Sequence, residues 1–118
     1  MLFDTDILIW AQRKNGRALE LIAYTPEKFI SVQNYMEILQ GAKNHAEIRI
    51  IKSFLSDADF RTLPFTENIG HRALIYAEEY ALASGIRSAD ALIAATAVEN
   101  NLVLATSNQK HFKAVKES

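Results

Sequence analysis

At 118 residues the chain has the length of one domain and no stretch polar enough for a long linker, so residues 1–118 are expected to form a single domain. A content of 49% hydrophobic and 23% charged residues sets aside disordered and collagen-like classes, and a formal charge of -1 leaves no broad basic field for nonspecific nucleic-acid binding. With no cysteine there are no disulfides or thiolate metal sites. The start Met1-Leu2-Phe3-Asp4 lacks the regions of a signal peptide, and the longest apolar run, Ala89 to Val98, is broken by Asp90 and far short of the ~20 residues that span a bilayer, so a cytoplasmic protein without a membrane segment is expected.

In chain order, β-forming apolar runs at Met1–Phe3, Lys28–Val32, Phe60–Leu63 and Leu102–Ala105 alternate with helical patterns at Ile7–Gln12, Arg17–Tyr24, Gln33–Gln40, Ala46–Leu55, Glu67–Ser84 and Ala89–Asn100. Gly16, Gly41 and Gly85 read as helix stops. Such alternation predicts an α/β fold, a central parallel sheet of about four or five strands flanked by helices. In open parallel sheets ligands bind beyond the carboxyl ends of the strands, which makes the residues just after each apolar run the first candidates for a site.

Asp4 directly follows the first run, and Asp6 is placed to cap a helix beginning at Ile7. Glu37 sits in a helix with Ser31 as its cap and Gly41 as its stop; flanked by Tyr35, Met36, Ile38 and Leu39 it is expected to be half-buried, the alternative being a solvated glutamate or one paired with Lys43 or Lys52. Asp90 is the one charge in the segment Ala89–Val98, apolar on nearly every face, and stands in its first turn, where the helix dipole favours an anion; with Ser88 as cap it would need no further role. After the last strand come Thr106, Ser107 and Asn108, readable also as an ordinary turn. Asp4, Glu37 and Asp90 can converge only through the fold, and convergence would demand a cation. Magnesium and manganese suit oxygen donors and activate water against phosphate esters. His45, His71 and His111 lack zinc spacing, and neither a Ser-His-Asp arrangement nor a glycine-rich phosphate loop is present.

Phe3-Asp4-Thr5-Asp6-Ile7-Leu8, Ile30-Ser31-Val32 leading to Glu37, Asp90-Ala91-Leu92-Ile93-Ala94-Ala95-Thr96-Ala97, and Leu104-Ala105-Thr106-Ser107-Asn108-Gln109-Lys110-His111-Phe112 together resemble PIN-domain ribonucleases of the VapC-like toxin branch, over nearly the whole chain. The resemblance implies a PIN-like fold and a magnesium- or manganese-dependent endoribonuclease, a hydrolase that cuts RNA phosphodiester bonds as the toxin of a toxin-antitoxin pair. It implies a cognate antitoxin covering the acidic pocket and a homodimer. Asp4, Glu37 and Asp90 would be the metal ligands and, with Asn108, the catalytic set; Thr5, Asp6 and Thr106 would support them. Two departures stand out. Asn108 occupies a place where many relatives have Asp, with His111 where others have a second acid, and Asn34 occupies a place where relatives commonly have a small hydroxyl residue.

Basic residues compatible with RNA are Arg13, Lys14 and Arg17 after the first strand-helix unit, and Lys43, Arg49 and Lys52 around the Glu37 helix; most of them read better as solvated helix faces. Two other functions compete. A degenerate PIN domain would bind RNA or a partner without cutting. A haloacid-dehalogenase-like phosphatase shares the short pattern of Asp4 and Asp6, yet the Gly-Thr continuation and the downstream acidic motif of that class are absent.

Overall fold

The structure, a computed structural model, describes residues 1–107 and Phe112. The elements run β1 (Leu2–Phe3), α1 (Thr5–Gln12), α2 (Gly16–Tyr24), β2 (Lys28–Ser31), α3 (Val32–Gln40), α4 (His45–Asp57), β3 (Phe60–Leu63), α5 (Glu67–Ser84), α6 (Ser88–Glu99) and β4 (Leu104–Ala105). The four strands pair in parallel in the order β3-β2-β1-β4, with Leu2 opposite both Phe29 and Leu104 and Phe3 opposite Ala105. The α/β architecture expected from the alternating runs is therefore present.

The chain builds the sheet outward from β1 through β2 to β3, then returns past the whole sheet to lay β4 against the free side of β1. Because crossovers between parallel strands keep one hand, reversing the direction of travel moves the helices to the other face. The two cores record this. Phe3, Ile30 and the partly buried Phe60 and Ala105 face helices α1 to α4 through Ile7, Leu8, Ala18, Ile22, Ile38, Ile51 and Leu55. Leu2, with Phe29, Leu63 and Leu104 at its side, faces α5 and α6 through Ile69, Tyr76, Ile93 and Ala95, and Phe112 joins this second core. Leu2 and Phe3 are both fully buried, one on each face of a two-residue strand; burying such side chains contributes about 1.5–3 kcal/mol each.

Helix α6 explains how the returning segment fits. Ala91, Ile93, Ala94, Ala95, Thr96 and Ala97 are all buried, and the alanines admit close approach of α5, against which α6 packs along its length. The Thr96 hydroxyl, inside this apolar shell, donates to the Leu92 carbonyl at 2.7 Å and so carries no unsatisfied donor. Helices α3 and α6, from opposite layers, also touch.

Three local expectations are corrected. Helix α1 begins at Thr5 with Asp4 as its cap, its side chain accepting from the Thr5 N–H at 2.8 Å, so Asp6 is a first-turn acid and not the cap. Gly16 opens α2 behind the capping residue Asn15; α1 is closed instead by Lys14 in the left-handed conformation, φ 64°. Ser88 is the first helical residue of α6, and the cap position falls to Arg87, whose N–H the Asp90 side chain accepts at 3.2 Å. Ser31, Gly41 and Gly85 cap as expected, Gly85 with φ 69°, where the absence of Cβ matters. Among the described residues no helix is long and apolar enough to cross a membrane.

Candidate metal centre

The reversal between β1 and β4 creates a crevice at their carboxyl ends, the place where open α/β sheets bind ligands. Asp4 stands at its floor. Its N–H is the last rung of the sheet, donating to the Ala105 carbonyl at 2.8 Å, and its side chain is buried. Oδ2 accepts from the Thr106 hydroxyl at 2.6 Å across the two strand ends; Oδ1 accepts from the Thr5 N–H and from Asn34 Nδ2 at 3.2 Å. Residues 102 positions apart are thereby held in one pocket.

Glu37 enters from α3, half-buried as expected, and accepts from the Thr5 hydroxyl at 2.6 Å, so Thr5, and neither Lys43 nor Lys52, is its described partner. Asp6, in the first turn of α1, accepts from the Ser107 N–H at 3.2 Å and from the Ser107 hydroxyl, fastening the segment after β4 to α1. Asp90 comes to the same edge by topology. Strand β4 is parallel to β1, so the helix that leads back to it must start at the carboxyl edge, and Asp90 is in that helix's first turn. Its described hydrogen bond goes to the Arg87 backbone, and none among the described residues joins it to Asp4 or Glu37. Asn108 and His111 lie outside the described residues. Asn34, noted in the sequence only as a departure, is a central member of the pocket; its one advance signal was its position three residues after the Ser31 cap and three before Glu37, on a shared helix face.

Burial lifts the Asp4 carboxyl above its ordinary 3.8, and the charges of Asp6 and Glu37 raise it further, while the hydrogen bonds from Thr106 and the Thr5 backbone pull it down. Among the described residues no Lys, Arg or His forms an ion pair with Asp4, Asp6 or Glu37. Desolvated, mutually repelling carboxylates are the environment that a cation relieves. The donors present are carboxylate and hydroxyl oxygens, which suit magnesium or manganese and not soft metals. Among the described residues no three acidic or histidine side chains form a ready cage; magnesium keeps several waters and commonly needs only one or two carboxylates. A separate cleft, lined by Glu27, Lys28, Asp59 and Arg61 at the amino ends of β2 and β3, has mixed charge and no such convergence.

A family model described as the PIN domain matches residues 1–118. Among solved structures, the chain is similar to one from a toxin-antitoxin complex of Klebsiella pneumoniae, with 33% identity, a TM-score of 0.78 and coverage of 97% of this chain and 91% of the other. VapBC-1 from nontypeable Haemophilus influenzae matches at 25% identity and TM-score 0.78, covering 98% and 92% of the two chains. FitAcB from Neisseria gonorrhoeae, at 24% identity, TM-score 0.76 and the coverage of 98% and 92%, shares the fold. No curated protein matches in sequence. A sheet reversed at β1, an acidic pocket at the reversal, and a match that runs along the chain lead to one assignment: the protein belongs to the PIN-domain family.

Proposed function

We propose that the protein is a divalent-metal-dependent endoribonuclease, the toxin of a toxin-antitoxin pair, acting in the cytoplasm as a single domain over residues 1–118. The observation that carries this reading is the buried Asp4 carboxylate at the β1–β4 reversal, hydrogen-bonded by Thr106 and Asn34 and crowded by Asp6 and Glu37. Asp4, Glu37 and Asp90 are the residues that would hold magnesium or manganese. Bound there, the ion supplies positive charge to the scissile phosphate and lowers the pKa of an attacking water. Without that charge the carboxylates would repel an RNA backbone.

The remaining work falls to the chain's own groups. Thr5 and Thr106 hold the acids in place through hydroxyl donors, Thr5 to Glu37 and Thr106 to Asp4. Asn108, which stands in the sequence where many relatives have Asp, would offer an amide there in place of a fourth acid. Exposed Arg13, Lys14 and Arg17 beyond the far end of α1, with Lys43, Arg49 and Lys52 on the α3–α4 side, provide local contacts for the phosphate backbone. Likeness to a chain from a toxin-antitoxin complex of Klebsiella pneumoniae supports an antitoxin partner, which in this reading would cover the acidic pocket. A homodimer is part of the same reading.

The test is incubation of purified protein with total RNA, with manganese or with chelator, comparing wild type with Asp90→Asn. Cleavage that needs the metal and falls about 100-fold or more in the variant is expected, by analogy with the about 10²–10³ in rate lost when one group that stabilises transition-state charge is removed. Equal cleavage by the two proteins rejects the assignment. Manganese uptake without cleavage would make the chain an RNA- or partner-binding module.

A further inference from the structure

We propose that Asn34 is a positioning residue, a neutral amide that holds the Asp4 carboxylate and the Thr5 hydroxyl in a single arrangement before any cation arrives. This role presupposes the metal-dependent reading above and goes beyond it by naming what builds the pocket. Asn34 is fully buried in the first turn of α3, yet none of the buried polar side-chain atoms among the described residues lacks a partner. Its Oδ1 accepts from the Ser31 hydroxyl at 2.5 Å; its Nδ2 donates to Thr5 Oγ1 at 3.0 Å and to Asp4 Oδ1 at 3.2 Å; its backbone N–H donates to Ser31 Oγ at 3.0 Å.

The protons in this network have one consistent direction. The opposite amide orientation would turn a carbonyl lone pair toward the Asp4 anion, so the NH2 end must face Asp4 and Thr5. The Ser31 hydroxyl, already an acceptor for the Asn34 backbone, then gives its proton to Oδ1. Thr5 Oγ1, having accepted from Asn34, gives its own proton to Glu37 Oε1. A chain of directed donors thus runs from Ser31 through Asn34 to both acids, ending on Asp4 in one branch and on Glu37 through Thr5 in the other. A lysine or arginine at this position would neutralise the carboxylates and compete with a metal ion; an amide orients them and leaves their charge intact. Its two N–H groups are what the geometry uses. A hydroxyl side chain has one proton and can serve only one of the two acceptors.

Wild type, Asn34→Ser and Asn34→Ala are compared by circular dichroism, by calorimetric titration with Mn2+ alone, and by RNA cleavage across a manganese series. The expected result is folded variants whose Mn2+ dissociation constant rises about 10- to 100-fold, the usual effect of removing an outer partner of a metal ligand. Asn34→Ser is expected to lie between Asn34→Ala and wild type, and cleavage to recover toward wild type as manganese is raised. A folded Asn34→Ser or Asn34→Ala with unchanged Mn2+ affinity overturns the positioning role while leaving the proposed function standing. Failure of both variants to fold also overturns it, in favour of a purely structural role. A wild type that takes up no Mn2+ and cuts no RNA removes both.

Discussion

Replacing Asp4 by Asn should stabilise the metal-free protein and abolish its stabilisation by metal, two effects of opposite sign from one atom change. The new side chain fits the existing contacts. Its carbonyl at Oδ1 still accepts from the Thr5 N–H and from Asn34, and its NH2 at the Oδ2 position donates to Thr106 once that hydroxyl turns. Three hydrogen bonds lose charge assistance, which costs about 0.5–1 kcal/mol each. Against this, two like charges at a typical ~6 Å no longer repel, worth about 0.7 kcal/mol each in water-like surroundings and about 3 kcal/mol each at an effective dielectric constant of 20. The burial that most strongly raises the Asp4 pKa no longer penalises an anion. The balance is a gain of about 1–2 kcal/mol at pH 7 in chelator, or roughly 4–8 °C in Tm for a domain of this size. Since the folded-state pKa lies above 3.8, wild type itself gains stability as pH falls through that raised pKa toward 3.8, and the advantage of the variant should shrink over the same window. With Mn2+ at ~100 times its dissociation constant the order reverses, because wild type gains about 2.7 kcal/mol that the variant does not. Differential scanning fluorimetry in chelator and in manganese, across a pH series, reads all of this. A variant less stable than wild type in chelator, or stabilised by Mn2+ to the same extent, would refute the account of Asp4 as a destabilised ligand.

Two further substitutions test the scaffold. Ala95→Leu, at a fully buried position in α6, should cost about 1–3 kcal/mol by overpacking the core that α6 shares with Leu2, measured as a lower urea midpoint with unchanged slope. Lys14→Gly, at φ 64°, should stabilise by about 0.5–1 kcal/mol in the same titration, since a left-handed lysine is strained and glycine is not; a loss of stability there would mean that the lysine side chain contributes contacts that outweigh the strain.

The fold was legible because its strands are short, β-branched or aromatic, and separated by helical periods; Phe60–Leu63 and Glu67–Ser84 have the same bounds in sequence and structure. Helix starts were less legible. Asp4 and Asp6 are both good caps by residue type, and only the sheet hydrogen bond that stops β1 at Asp4 decides between them. Glu37 was correctly read as half-buried from its apolar neighbours, but its partner, Thr5, lies 32 residues away and no local rule reaches that far. Asn34 was obscured by the rule that polar helix residues face water. That rule fails where a cap, a strand end and a second helix together saturate an amide. Asp90 was visible as the lone charge in an apolar helix, and topology accounts for its place at the carboxyl edge.

The pairing of β1 with β4 has a consequence for synthesis. Most of the apolar interior lies between Leu2 and Ala97, whereas the donor that steadies Asp4 is Thr106, beyond a strand of only two residues. Closing so long a loop is entropically late in folding, and a ribosome must have translated past that threonine before the first strand can acquire its neighbour. A truncated polypeptide ending before Leu104 would therefore retain nearly all its greasy contacts and still present an aspartate without its clasp.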